Sequence, residues 1–344
     1  MRRRVQIPTP GSYHRLEIVQ DEVPVPGSGQ VLVTTEAIGV NYADCIVRMG
    51  LYSSAKKYVG WPITPGFEFA GKVTQVGDSV SGVKAGDAVM GVTRFGGYAS
   101  HVVVPEHQIF GLPEGWSMAR GAAFPTVHLT AWYALCEIAR PRAGYRVLVH
   151  NAAGGVGTAA LGICRHLRLQ ATGVVGSPTK IDVARAAGAH YVIDRSTQDL
   201  WAEVRRQAPE GYHIILESSG AATLKGSYRA LRSMGRLVLF GLATMLPRGG
   251  KRVNWFKLAY HYVKIPRLHP FHMLDKNKTV AAFNLSYLFD EHDLLAEAMT
   301  ELLGWAKEGS LTEPPIATYA LEEVRRAHAD LESGNTVGKL VLIP

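Results

Sequence analysis

The residues whose types and spacing point most directly to chemistry are Ala152, Gly154 and Gly157, within His150-Asn151-Ala152-Ala153-Gly154-Gly155-Val156-Gly157. The apolar run Val147-Leu148-Val149 precedes them, and Thr158-Ala159-Ala160-Leu161-Gly162-Ile163-Cys164 reads as a helix behind them. Strand, glycine turn and helix in that order give A-x-G-x-x-G its meaning as a dinucleotide fingerprint. Ala152 stands where the first glycine is usual. Gly154 lets the backbone approach a pyrophosphate, and Gly157 lets the helix pack closely on the strand. Ala153, Gly154, Gly155, Val156 and Gly157 would together face the phosphates, where a helix N-terminus offers unpaired N–H groups and a favourable dipole.

The residues that follow bear on which dinucleotide it is. A site for NAD usually carries Asp or Glu about 20 residues on, to hold the ribose 2′-hydroxyl. Here the second strand, Gln170-Ala171-Thr172-Gly173-Val174-Val175, runs into Gly176-Ser177-Pro178-Thr179-Lys180, with no carboxylate before Asp182. Gly173 is placed on the cofactor surface. Ser177 and Lys180 offer a hydroxyl and a cation suited to a 2′-phosphate. Arg195, after Tyr191-Val192-Ile193, adds a second charge or a plane to stack on adenine. Solvated surface cations are the plainer reading of Lys180 and Arg195. The missing acid and the present cations both favour NADPH.

These residues need a scaffold, and the chain length of 344 suggests two domains. Hydrophobic residues at 47% and charged ones at 19% make a globular chain. The net charge of +8 is dispersed, and no basic run alternates with aromatics, which gives a nucleic-acid role little support. Cys45, Cys136 and Cys164 lack metal spacing and read as reduced thiols in a cytoplasmic protein. Neither a signal peptide nor an 18-residue apolar span is expected. Residues 1 to about 122 alternate short β-branched runs, such as Gln30–Thr35, with Gly/Pro corners.

From about 124, strands at Arg146–His150, Ala171–Val175, Tyr191–Ile193, His213–Glu217 and Arg236–Gly241 alternate with helical patterns. Those patterns lie around 158–169, 179–187, 198–208 and 223–233. Val280–Leu285 reads as a sixth strand, 291–308 and 321–331 as helices, and Gly338–Ile343 as a last strand returning to the β body. The alternation predicts an α/β fold with a doubly wound parallel sheet.

Several motifs resemble the medium-chain dehydrogenase/reductase superfamily and, within it, the zinc-independent quinone oxidoreductases. They are Asn41-Tyr42-Ala43-Asp44 with Arg48-Met49-Gly50-Leu51-Tyr52, then Pro65–Gly71, Ala85–Val89, Gly97–Ala99, Leu129–Tyr133, His150–Gly157 and Val337–Lys339. A closer likeness, to the vesicle amine transport protein homologues, rests on Met234–Arg236, Gly241–Ala243, the basic-aromatic stretch 248–268 and Phe283–Leu288. The resemblance implies a GroES-like β-rich catalytic domain from 1–123 and 289–344 beside a Rossmann NADPH-binding domain at 124–288. It also implies a homodimer through the Val280–Leu285 edge strand.

The superfamily's alcohol dehydrogenases hold catalytic zinc with a cysteine and a histidine where this chain has Asn41 and Phe67. A phenyl ring cannot ligate metal and an amide is a poor zinc ligand, so no metal is expected. Bound NADPH would carry the hydride itself, and an acceptor carbon conjugated to a carbonyl fits. The resemblance puts Asn41 and Tyr52 beside the nicotinamide as the catalytic pair, Tyr52 bonding the developing oxyanion or delivering a proton. Tyr52 is equally readable as a turn tyrosine and Asn41 as a turn-capping amide.

Thr130, Gly241, Phe283, Asn284 and Lys339 are likewise carried over as contacts on the nicotinamide or phosphate side of the cleft. Thr130 could instead bond back to its own helical turn, and Gly241 could be a plain strand-ending glycine. Glu68 reads as a buried, paired carboxylate, His128 as a core histidine in preference to a proton relay, and Arg94 as solvent-exposed in preference to a contact with a substrate carbonyl. Val253–Lys264 reads as a packed amphipathic helix, with pocket, subunit and membrane contacts as alternatives. The function these residues support is hydride transfer to a small quinone or enone, with enoyl-thioester reduction as the near alternative. A non-catalytic NADPH-binding structural or membrane-associated protein is the distant one.

Overall fold

Runs rich in Val and Ile, cut by Gly/Pro corners, need lateral partners for their N–H and C=O groups. In the computed structural model, which describes residues 1–245 and 255–344, they find them in two large sheets. Gln30–Val40 is the hub of a seven-stranded sheet, antiparallel to both Glu68–Val76 and His101–Pro105. Glu68–Val76 continues to Ala88–Val92 and then Ile109–Gly111. On the other side of the hub lies Lys339–Ile343, with Leu340 opposite Val40, and then Ile316–Ala320. The end of the chain thus completes the sheet begun near its start.

The second sheet has six strands, all parallel. Its spatial order is Tyr191–Asp194, Gln170–Val175, Arg146–Val149, Tyr212–Glu217, Leu231–Leu239, Thr279–Ala282. Numbered by sequence within this sheet the order is 3-2-1-4-5-6, the doubly wound arrangement whose ligand crevice opens where the order reverses. That point lies between Arg146–Val149 and Tyr212–Glu217. The helices Gly155–His166, Ile181–Ala187, Leu200–Gln207 and Leu224–Ala230 form the crossovers.

Element types match the sequence expectations, and the boundaries shift for local reasons. The helix expected over 223–233 stops at Ala230, because Leu231 pairs with Tyr212 and Met234 takes a positive φ of 63°. The sixth strand covers Thr279–Ala282 only, since the Asn284 side chain accepts from Ser286 N and turns the backbone away. The expectation of a packed helix near Val253–Lys264 is corrected. Residues 246–254 lie outside the described residues, and on the helix Trp255–Lys264 Phe256 is 90% and Val263 83% exposed. Helix Pro270–Lys276 likewise leaves Phe271 and Leu274 exposed.

Ala152 in place of the usual glycine has a counterpart. A Cβ on Gly173 would stand 2.8 Å from the Ala152 methyl, so the glycine of the second strand makes room for the alanine of the turn. Gly173 is buried in the strand, and its expected place on the cofactor surface is corrected to this packing role. Gly173→Ala should therefore destabilise the fold by about 1–3 kcal/mol through overpacking. Adding Ala152→Gly should restore most of that loss, read as thermal midpoints in a double-mutant cycle. Additive losses would place the strain elsewhere.

Candidate functional site

The glycine turn is built as its spacing requires. Gly154 precedes the helix Gly155–His166, and a Cβ there would meet only Asn151 O at 3.4 Å, so its outer side is open. A Cβ on Gly157 would fall 2.3 Å from Asn151 O and 2.7 Å from Ala152 Cα, which no side chain tolerates. Gly154, Gly155 and Val156 are half-buried, and the first N–H groups of the helix face outward without intrahelical partners. Ala153 is buried, and its carbonyl accepts from Gly338 N at 2.8 Å. Gly154 and Gly338 form a parallel bridge. Asn151, at φ 52°, donates to Ser218 Oγ at 2.8 Å and so joins the ends of the two strands flanking the crevice. Ser218 was not expected; a lone serine after a strand carries no signal in sequence. The open turn beneath a helix N-terminus fits a pyrophosphate.

Ser177 and Arg195 come together at the end of the second strand. The Arg195 guanidinium lies 3.7 Å from where a Gly176 Cβ would stand, immediately beside Ser177. Lys180 follows on the turn Pro178–Lys180, and its Nζ donates to Gly334 O at 2.6 Å. These groups form a polar, cationic corner at the end of the second strand.

At the other end, Tyr52 and Asn284, 232 residues apart, meet: the phenol donates to Asn284 Oδ1 at 2.7 Å. That oxygen also accepts from Ser286 N at 3.0 Å. Phe67 and Phe95 wall the phenol, with ring centroids 5.6 and 6.4 Å from it. Burial among these rings pushes the Tyr52 phenol up to about 12, against the pull of its amide and hydroxyl partners. A phenol so held is a better hydrogen-bond donor than proton source. Phe283 packs on Tyr133 at 4.8 Å, and a Cβ on Gly241 would meet Ser218 O at 2.8 Å.

Thr130 bonds back to Thr126 O at 2.7 Å and is buried, the plainer of its two readings. His128 is buried, stacks on Phe124 and is lowered to about 4, chiefly by burial. Arg94 departs from its expected exposure: it bonds Ser286 O at 3.0 Å and Asp290 at 2.6 Å while lying over the Tyr58 ring.

Lys339 departs further from expectation. It is 3% exposed, and its ammonium donates to Val40 O, to Asn41 Oδ1 and to the Glu68 carboxylate. Three donors meet three acceptors, so none is left for a phosphate. Glu68 is fully buried and also accepts from Asn41 Nδ2 and Thr126 N, both at 2.8 Å. It fits because a Cβ on Gly39 would stand 2.5 Å from its carboxylate oxygen. A zinc ion does not fit here. The Asn41 oxygen, the one atom of that amide that could ligate a metal, is taken by the Lys339 ammonium, a phenyl ring stands at 67, and the same ammonium sits against the nearest carboxylate. Among the described residues no three His, Cys, Asp or Glu side chains stand together as a metal would need.

A second buried polar cluster lies behind the first and was not foreseen. Asp44 accepts from Asn41 N, Gly66 N and the Tyr98 phenol, and that phenol also meets His328 Nε2 at 3.2 Å. Arg48 pairs with Glu332 beside His328, all three buried. Its members come from opposite ends of the chain, which no local pattern announces.

A β-rich lobe completed by the chain's end, with a glycine-turn crevice in a doubly wound sheet beside it, is the architecture of the medium-chain dehydrogenases/reductases. The alcohol dehydrogenase GroES-like domain family matches residues 27–114, and the zinc-binding dehydrogenase family matches residues 187–342. The synaptic vesicle membrane protein VAT-1 homolog of Rattus norvegicus is 34% identical over 336 residues, 97% of this chain and 82% of that protein. The solved Escherichia coli quinone oxidoreductase, complexed with NADPH, superposes with a TM-score of 0.87 at 28% identity, covering 99% of this chain and 100% of that one. The solved CurK enoyl reductase superposes at 0.84 with 26% identity and 99% coverage of both. The chain belongs to the zinc-independent quinone oxidoreductase type of this superfamily, close to the VAT-1 homologues.

The raised Tyr52 value has a measurable consequence. An unfolded phenol ionises near 10. The folded state therefore holds its full contribution below pH 10 and loses it as pH rises towards about 12. Ultraviolet difference titration of wild type against Tyr52→Phe should show this phenol ionising only above about pH 11. An ionisation at its ordinary value would mean that the phenol stands in water.

Proposed function

We propose that this chain is an NADPH-dependent oxidoreductase that reduces quinones or α,β-unsaturated carbonyl compounds without a metal. The observation that carries the reading is the replacement of a metal site by Asn41, Phe67 and the Lys339–Glu68 pair, at one end of a crevice whose other end is shaped for a pyrophosphate. NADPH held in the crevice would supply the hydride for the acceptor carbon, being oxidised to NADP⁺, with a solvent proton completing the two-electron reduction.

The protein's part is to bind, orient and exclude water. Ala153, Gly154, Gly155, Val156 and Gly157 receive the pyrophosphate, while Ser177, Lys180 and Arg195 receive the 2′-phosphate. Phe67, Phe95 and Phe283 make the acceptor end apolar, which suits flat, conjugated carbonyl compounds. Tyr52, held protonated, would turn its one O–H from Asn284 Oδ1 to the acceptor oxygen as charge develops there. The three cysteines are unpaired, in keeping with a cytosolic enzyme. The Thr279–Ala282 strand lies at the sheet's edge, and we assign it to a two-fold dimer contact, which would also cover an otherwise open edge.

The exposed Phe256, Val263, Phe271 and Leu274 favour one second reading, an NADPH-binding protein that attaches to a membrane or partner. Among the described residues no helix is long and apolar enough to cross a membrane, so attachment would be at the surface.

Purified protein mixed with NADPH and a panel of quinones, enones and enoyl thioesters should consume the reduced nicotinamide absorbance only when an acceptor is present. Tight NADPH binding with no consumption by any acceptor would reject the enzyme and leave the second reading. Tyr52→Phe should lower kcat by about 10²-fold, as removal of one oxyanion donor does, with the NADPH Kd unchanged. An unchanged kcat would remove Tyr52 from the chemistry. Lys180→Ala should weaken NADPH by about 5- to 100-fold, the worth of one charge-assisted phosphate contact, and leave NADH unaffected. Equal weakening of both would move the 2′-phosphate site elsewhere.

A further inference from the structure

We infer that the buried Lys339–Glu68 ion pair is a polarity clamp that fixes which way the Asn41 amide faces, so that Asn41 presents an N–H donor to the acceptor. The inference rests on the proposed reaction and deepens it by naming what makes Asn41 competent. An asparagine amide can rotate so that its oxygen and nitrogen exchange places at little steric cost, and only its partners decide between the two. Here the choice is forced by chemistry. An ammonium cannot accept and a carboxylate cannot donate.

Oδ1 of Asn41 faces Lys339 Nζ, and Nδ2 donates to Glu68 Oε1 at 2.8 Å. The reversed amide would set N–H against ammonium and carbonyl against carboxylate, two repulsive contacts in a dry site. With Oδ1 turned to the ammonium and one N–H spent on Glu68, the second N–H of Nδ2 is the donor left to offer. Asn41 is also the most open member of the trio, 8% exposed against 3% for Lys339 and 0% for Glu68.

Neighbouring elements hold the clamp itself in register. Thr126 N, at the start of the helix that carries Thr130, donates to Glu68 Oε2 at 2.8 Å. Lys339 is anchored to Val40 O at 3.0 Å, and its neighbour Gly338 is bridged to Gly154 of the glycine turn. The clamp therefore ties the donor at the acceptor end to the backbone of the turn. Lys339 and Glu68 are positioning residues, and Asn41 is the group that touches substrate.

The test compares three variants in the full-length protein. Lys339→Arg keeps the polarity and should hold kcat within about threefold of wild type. The neutral double variant Lys339→Met with Glu68→Gln releases the amide and should lower kcat at least tenfold, with NADPH affinity and acceptor KM within about threefold. The charge-swapped double variant Lys339→Glu with Glu68→Lys keeps an ion pair but reverses its sense, and should lower kcat at least as far.

A folded neutral or swapped variant that retains kcat within threefold would overturn the inference, because a merely structural ion pair tolerates either change. If the swap does not fold, the neutral pair decides; buried ion pairs are often replaceable by uncharged groups of similar size. Wild-type protein that consumes NADPH with none of the acceptors would sink the proposed reaction itself. Turnover in wild type together with undiminished variants sinks only the clamp.

Discussion

A charged lysine inside a protein survives only if every one of its donors is met, and the structure turns on how Lys339 meets that condition. Its partners come from three places in the chain: the end of the Gln30–Val40 strand, the residue after it, and the first residue of the Glu68–Val76 strand. The C-terminal strand must therefore insert beside Gln30–Val40 for the charge to be tolerated at all. Once it does, Gly338 lies against Gly154, and the phosphate-shaped turn is locked to the β-rich lobe. One buried ion pair thus sets the relation between the crevice and the residues at its acceptor end.

On the proposed reading, the same pair would let a scaffold of zinc-binding dehydrogenases work without zinc. A metal in such a site does two things: it polarises the substrate oxygen and it orients its surroundings. In the proposed reaction the second task would fall to an ammonium and a carboxylate acting on Asn41, and the first to neutral donors, Asn41 and Tyr52. Neutral donors stabilise a spread-out oxyanion adequately and a localised alkoxide poorly. That preference is the physical ground for conjugated acceptors over simple alcohols. The aromatic wall of Phe67 and Phe95 raises the worth of each donor by excluding water, and it keeps the Tyr52 phenol protonated.

Much of this was legible in the residues alone. The alternation of strands and helices from Arg146 onward and the glycine turn follow from local periodicity and backbone sterics, which a short window contains. So does the missing acid near Ser177, while the buried, paired reading of Glu68 came from the family motif in which it sits. Expectations failed where a side chain had a choice of partner. Gly173 serves the Ala152 methyl, a packing relation across two strands. Lys339 faces inward and Arg94 reaches the Ser286 carbonyl, each against its expected role. The Asp44–Tyr98–His328 cluster, with Arg48 and Glu332 beside it, had no signal in sequence.

By itself, then, the sequence determined the order and kind of the elements, the dinucleotide turn and the absence of zinc-ligating side chains at 41 and 67. These depend on residue type and near-neighbour spacing. Tertiary structure alone decided that Asn41, Glu68 and Lys339 form one unit, that Tyr52 meets Asn284, and that the helix near 260 leaves Phe256 and Tyr262 in solvent. Those outcomes depend on which distant surfaces meet, because hydrogen-bond direction and burial belong to pairs of groups and not to single residues.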